Sequence, residues 1–416
     1  MSSIQKLNLR SVGAAGLLFS LATLASAGCT FGSVPGNSGA ERQHHGSDIS
    51  DGAEIQDRND IADPASDSLL YLAEQDALDA MRREVLNISA NDAIDYELLA
   101  SVEYITIHHQ NQTTVYFRLN PGGDNDRFEI PHHIVDISYA MVFPNLRSLD
   151  ARNLPVNEIP DLSPLENLQD IHFVNSGIKS LSGLEGVKSL THFSIHRNDG
   201  NRIENLDILA DFPLRSLVLQ GCAITDSDLE FLKAGGALTD TVMSLSLYDN
   251  NLTCISMFAY LENLNDLNVA NNKISELYLP EDSLLSSKNT RGMMLNFSGN
   301  SISSLRGISS LRIDTLFVAR NQITLFDIEN EELVFTLLDL DISDNRLENL
   351  DGIVNLRNLM TLDIRGNENL DLSQLEEAAF TGIWDLFVDQ YISPEILARF
   401  GEVIYFMSQV QDLETP

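Results

Sequence analysis

The sequence predicts an α/β solenoid, a right-handed coil in a horseshoe arc whose turns lay short parallel strands side by side on the concave face. Three observations predict it. Segments starting at Leu146, Leu168, Leu190, Leu214, Val242, Leu264, Gly292, Ile313, Leu337 and Leu359 fit one frame, L-x-x-L-x-L-x-x-N-x-L, and succeed one another at intervals of 21 to 28 residues. Self-similarity at that period marks units too small to bury a core alone, which become stable by stacking. The ninth position of the frame is asparagine in most copies. A helix-patterned segment precedes the array and an aromatic-rich one follows it, as caps would.

Within the array, LSLYDNNL, LNVANNKI, LFVARNQI and LDISDNRL show the pattern best: alternating apolar residues for a short strand, then an Asn where the chain turns. An Asn amide can satisfy backbone groups that a tight bend leaves unpaired. Asn250, Asn272, Asn300, Asn321, Asn345 and Asn367 are therefore expected to form a buried ladder, with Cys222 on the same rung in LVLQGCAI. Between strands, Ile178, Leu181, Leu184 and Val187 recur at steps of three, which suits a 3₁₀-like convex side. The unit at Leu190 carries extra residues in HRNDGNRI, expected to bulge from its strand end.

Ahead of the array, residues 68–145 read as an N-terminal cap. Leu69, Leu72, Ala77, Met81 and Val85 recur at helical spacing, and TTVYFRLNPGGDNDRFEI reads as an inserted β-hairpin. The GGDNDR run has a calcium-loop flavour but lacks the full ligand spacing, so no metal is assigned. His108-His109 and His132-His133 read as surface pairs. After residues 146–383, the repeats, residues 384–416 read as a C-terminal cap: one more strand, then a helix from about Ser393. Trp384, Phe387, Tyr391, Phe400, Tyr405 and Phe406 are expected to close the core there.

The N-terminus speaks to compartment. Lys6 and Arg10 precede an apolar run, Val12 to Leu24, too short for a permanent bilayer span, so residues 1–28 read as a signal peptide. LASAGC resembles a bacterial lipobox with Cys29 as the lipidated residue, although Ser26 stands where leucine is usual; Ala25-Ser26-Ala27 also fits ordinary signal-peptidase cleavage. Residues 29–67, poor in aromatics, read as a disordered, lipid-anchored tether. The sequence carries 61 acidic against 26 basic residues, a formal charge of −35, which argues against nucleic acid or an anionic membrane face as a partner. With Cys29 assigned to lipid, Cys222 and Cys254 remain, expected as buried thiols rather than a bridge.

The mostly 22-residue period with a preceding cap helix resembles bacterial leucine-rich-repeat proteins of the internalin-like kind and the related phosphatase-regulator repeat class, over about Ser68 to Phe406. The resemblance implies the fold firmly and function loosely, because the repeated residues are those of the scaffold. It suggests a protein or peptide ligand and a place in the bacterial envelope, on the outer membrane or cell surface, or else secretion.

Function in such a solenoid belongs to strand positions pointing away from the core. Those expected to bind a partner are Arg147, Arg152, His172, His192, His196, Arg197, Arg215, Tyr248, Asn268, Phe317, Asp341 and Asp363, a surface running from Arg/His-rich to Asp-rich. Asp150, His172 and Ser194 fall 22 residues apart at one strand position and so should lie side by side, in the order of a hydrolytic triad. An open sheet lacks a nucleophile elbow and its amides are engaged, so no catalytic residue is assigned. His172, His192 and His196 invite a metal site, but no Cys or Glu stands at ligand spacing. The expectation is an envelope-anchored, non-enzymatic binding module without a cofactor; the alternatives are a structural envelope protein and a hydrolase at the Asp150 patch.

Overall fold

A computed structural model describes residues 64–110, 112–118, 137–154, 156–288 and 291–406. The segment read as a signal peptide, Cys29, the expected tether as far as residue 63, the GGDNDR run and His132-His133 lie outside the described residues, and residues 64–67, assigned to the tether, are helical instead. The chain opens with α1 (Pro64–Val85), whose end is marked by Asn87 in the left-handed region at φ 51°. Val85 is buried, and Leu78 and Met81 pack against the core. A short α2 (Tyr96–Ala100) follows, with the Asp95 carboxylate accepting from the Leu98 N–H at 2.9 Å as its N-cap.

A hairpin precedes the segment in which the sequence predicts one, and the turn and second arm of that predicted hairpin lie outside the described residues. β1 (Tyr104–Gln110) and β2 (Gln112–Arg118) pair antiparallel, so TTVYFR is the second arm of this hairpin. β1 also pairs in parallel with β3 (Ser148–Arg152), so the hairpin joins the main sheet and forms its edge among the described residues. From there one parallel ladder runs through β4 (Asp170–Val174), β5 (His192–His196), β6 (Ser216–Leu219), β7 (Ser244–Ser246), β8 (Asp266–Asn268) and β9 (Met293–Asn296). It continues through β10 (Ile313–Phe317), β11 (Asp339–Asp341), β12 (Thr361–Asp363), β13 (Asp385–Val388) and β14 (Ile404–Phe406). Among the described residues the sheet holds 14 strands in sequence order, with only β2 antiparallel and out of order at its edge, so each coil pairs with its sequence neighbours.

Each strand buries alternate residues: Leu149 and Ala151, Ile171 and Phe173, Phe193 and Ile195, Leu217 and Leu219 all point into one continuous core. The return path is made of 3₁₀ turns, such as Ser182–Leu184, Ser256–Tyr260 and Arg306–Ile308, with two single-turn helices, α3 (Ala237–Thr241) and α4 (Leu333–Thr336). Ile178, Leu181, Leu184 and Val187 are all buried, as side chains repeating every three residues on a 3₁₀ path share one face. Coils touch backbone to backbone there: a Cβ on Gly307 would lie 1.1 Å from the Leu277 carbonyl oxygen, which explains the residue.

The ladder of amides stitches the turns. Asn250 Oδ1 accepts the Cys222 and Ile224 N–H groups of the preceding coil, each at 3.0 Å, while its Nδ2 donates to the Leu219 and Leu247 carbonyls at 2.7 and 2.9 Å. Asn272, Asn300, Asn321, Asn345 and Asn367 repeat the arrangement, receiving Leu252, Ile274, Ile302, Ile323 and Leu347 N–H at 2.9 to 3.0 Å. Asn300 is half-buried where the others are buried. A rung unassigned from sequence is Asn198, fully buried in the coil with extra residues. Its Nδ2 donates to Ile178 and Asn201 carbonyls at 2.8 and 3.0 Å, but Asn198 Oδ1 and the neighbouring Ser176 Oγ have no protein partner among the described residues. The extra residues shift this rung out of the pattern its neighbours share.

The residue before each rung is left-handed throughout: Asn153, Asn175, Arg197, Asp249, Asn271, Arg320 and Asp344 at φ 51–60°, and Gly221, Gly299 and Gly366 at φ 66–70°. A bend of one fixed hand thus recurs at every turn, mostly with the residue types that tolerate it. Two further corrections concern the array and its end. Met293, not Gly292, pairs with Ile313 and fills the buried first position, the register slipping between Ile313 and Thr315. At the C-terminus α5 (Pro394–Phe400) is followed by strand β14, and of the aromatics expected to close the core Phe400 is buried. Trp384, Tyr391 and Tyr405 are 66%, 88% and 48% exposed; Ile392, Ile396 and Phe400 cover the last coil instead.

Candidate functional site: the open face of the sheet

The face turned away from the core carries one side chain per strand in unbroken register: Thr106, Asp150, His172, Ser194, Val218 and Ser246 lie on successive neighbours. The same column runs on through Asn268, Asn296, Phe317, Asp341, Asp363, Phe387 and Tyr405. Neighbouring members are separated by about 4.8 Å of sheet.

At the N-terminal end the triad-like trio is adjacent, but its parts are engaged otherwise. Asp150 takes the Arg152 guanidinium in a bidentate grip, Nε at 2.9 Å from both oxygens and Nη2 at 2.6 Å from Oδ2. His172 Nδ1 contacts the Ser194 hydroxyl and its ring lies 5.0 Å from that of His196. Burial pushes the His172 pKa down; Asp150 draws it up, and His196 and Arg152 reinforce the depression. His192 Nδ1 pairs with Asp170 at 2.8 Å, and His196 Nδ1 lies 3.1 Å from Gln220 Oε1. The three imidazoles thus point to separate partners, and no metal-holding cluster occurs among the described residues. His108 Nε2 lies 2.9 Å from Asn153 Nδ2. Arg147 reaches Glu103 at 3.6 Å, whereas Arg197 and Arg215 are exposed.

In the middle, the Tyr248 hydroxyl accepts from Asn271 Nδ2 at 2.7 Å, and Phe317 is half-buried. Several residues expected to serve a partner are used by the chain itself. Asn268, Asn296, Asp341 and Asp363 each accept, through Oδ1, the backbone N–H two residues on, at 3.0 to 3.1 Å. Strand pairing stops there, so the side chain closes the freed donor. Asp363 is also buried and gripped by Arg365, with Nε at 2.9 and 3.1 Å from its oxygens. It is therefore a support under Arg365 rather than a free contact, which corrects its assignment. Asp341 is mostly buried; that burial pushes its pKa up against the Ser343 N–H and hydroxyl that bind its charged form. Burial raises Asp266 likewise, against a bond from Ser244 Oγ at 3.1 Å.

The C-terminal end carries features the sequence reading put in the core. Arg365 lies over the Phe387 ring at 5.0 Å, and Phe387 stacks on Tyr405 with centroids 5.1 Å apart and planes at 26°. The Tyr405 phenol is held by Asp385, which raises its pKa. Elsewhere, a cleft of about 490 Å³ lies on the return side, lined by residues including Arg202, Asp207, Asp228 and Phe231, but Arg202 is neutralised by Asp228 at 2.6 Å. Cys222 and Cys254 are both buried and unbridged, and burial drives the Cys222 thiol far above its ordinary pKa, so it is inert.

A scan against family models finds no match, and a search of curated proteins finds none either. Solved structures do match. An internalin from Listeria monocytogenes aligns at 19% identity and TM-score 0.55 over 80% of this chain and 95% of its own. The functional domain of InlJ from the same organism, described as including a cysteine ladder, aligns at 14% identity and TM-score 0.47 over 79% and 67%. TLR13, in its complex with ssRNA13, aligns at 20% identity and TM-score 0.47 over 64% and 43%. The chain therefore has the α/β leucine-rich-repeat solenoid fold, similar to that of the Listeria internalin.

Proposed function

We propose that this chain is an exported recognition module of the cell envelope that binds a protein or peptide partner on the open face of its sheet, and that it is not an enzyme. One observation carries the reading: a column of side chains in register across thirteen parallel strands faces away from the core, and none of its members is needed to fill that core. A surface both continuous and unconstrained is where a repeat scaffold varies its contacts. Asp150 bound to Arg152 and strand amides spent on neighbouring strands argue against hydrolysis at His172 and Ser194. The LASAGC segment supports anchoring through an acylated Cys29. Four repeat intervals of 22 residues support the phosphatase-regulator-like repeat class.

The test is crosslinking of the full chain in its native envelope with identification of captured partners, in parallel with a variant carrying Arg215→Ala, Tyr248→Ala and Phe317→Ala and shown to be folded by circular dichroism. Loss of a specific partner in that variant supports open-face recognition. Capture unchanged by it moves the site elsewhere, and the absence of any partner favours a structural role in the envelope.

A further inference from the structure

Charge is unevenly spread along the open face. In its first third the Asp150 carboxylate is matched by Arg152, and that of Asp170 meets the His192 imidazole. In its last third Asp339, Asp341, Asp344, Asp363, Asp385 and Asp389 lie on or beside β11 to β13, where Arg365 is spent on Asp363. This surplus of carboxylates lies beside the Arg365–Phe387–Tyr405 stack, and Trp384 is exposed at the start of β13. The stack is a worked example of what the surface accommodates: a guanidinium held at its edge by a carboxylate and on its flat side by an aromatic ring. Tyr405 ends it, half its surface open to solvent.

We propose that the last third of the open face docks a basic, arginine- or lysine-rich extended segment of a protein partner. The inference rests on the open-face reading and names the partner's chemistry. Charge complementarity selects this occupant, since a formal charge of −35 steers cations toward the chain and repels polyanions. The exposed rings supply the fixed, local part of the contact, which a diffuse acidic surface alone lacks. Cations of the segment stack on Tyr405 and Trp384 and pair with Asp339, Asp344 and Asp385.

Fluorescence anisotropy with the full chain tests this, using a labelled decapeptide of alternating arginine and serine and, as counterpart, one of alternating glutamate and serine. The basic peptide should bind and the acidic one should not. Asp339→Asn/Asp344→Asn/Asp385→Asn should weaken binding about tenfold, and Trp384→Ala/Tyr405→Ala about fivefold. Removing the same number of charges off the face, with Glu348→Gln/Glu368→Gln/Glu377→Gln, should change it less than about twofold. Equal weakening by the off-face variant would mean plain attraction to an acidic protein and would overturn the proposal. So would preference for the acidic peptide, or loss on Arg215→Ala/Tyr248→Ala with none on the C-terminal variants; each leaves open-face recognition standing. Native partners captured regardless of every open-face variant would overturn that reading as well.

Discussion

Replacing Asn345 with alanine removes one acceptor from the Ile323 N–H and donors from the Val318, Ile342 and Ser343 carbonyls, at 2.9 to 3.1 Å in a site water does not reach. Buried backbone groups left unpaired are costly, so Asn345→Ala should destabilise the fold by about 3 kcal/mol. Phe317→Ala, half-buried on the open face, should cost under about 1 kcal/mol. Urea denaturation followed by circular dichroism measures both; a larger loss for Phe317→Ala would mean that its ring belongs to the core. Residues of this kind were legible because the rung demands one chemistry at one place. Asn198 escaped although it stands at the ninth position of the Leu190 frame, because the extra residues that follow it put Gly200 where the motif has an apolar residue and push that role on to Ile203. The local bonds of Asn268, Asp341 and Asp363 escaped for a different reason: an Asx residue that closes its own strand end looks, in sequence, like any polar residue offered to solvent.

Among elements, neighbouring strands place groups whose ionisation the fold opposes. The buried carboxyl of Asp341 on β11 has a raised pKa, so the native state keeps its proton at pH values where the unfolded chain has released it. Stability therefore falls as pH rises through the window from the ordinary carboxylate value of 3.8 to the raised one, and stays lower above it. Asp341→Asn keeps an acceptor for Ser343, and should raise the thermal midpoint near pH 7 with the gain vanishing near about pH 3.5. A lowered midpoint at neutral pH would show that the charge is needed. On β4 the sign reverses: His172 has a depressed pKa, so below the ordinary 6.5 the unfolded chain gains a proton the native state refuses. Stability is lost as pH falls from 6.5 toward the depressed value. His172→Gln should lose less midpoint than the parent between about pH 7.5 and about pH 5.5, and equal losses would assign the acid sensitivity elsewhere. The strands themselves were legible from period-2 alternation, while the ends of the sheet were not. Strong turn residues in NPGGDND drew the reading to a stretch outside the described residues, whereas the end of β1, HHQ, and the start of β2, QTT, show no run of turn formers. The aromatic-rich tail suggested burial by composition, yet the core is closed there by Ile392, Ile396 and Phe400, and the larger rings are left outside.

For the molecule as a whole, a formal charge of −35 on 416 residues sets a background of self-repulsion that few ion pairs relieve. Screening should therefore stabilise it: the thermal midpoint by scanning fluorimetry should climb between about 10 mM and about 300 mM sodium chloride. A fall would mean that the pairs on the open face outweigh the repulsion. The antiparallel strand β2 has a consequence of another kind. A tandem duplication adds a coil only where the strand beside it runs the same way, and at this edge the direction is reversed. New repeats can be spliced into the interior of the array, between β3 and β13, but not appended outside β2. Over evolutionary time the chain can lengthen its array and change what it grips, while growth beyond β2 is blocked.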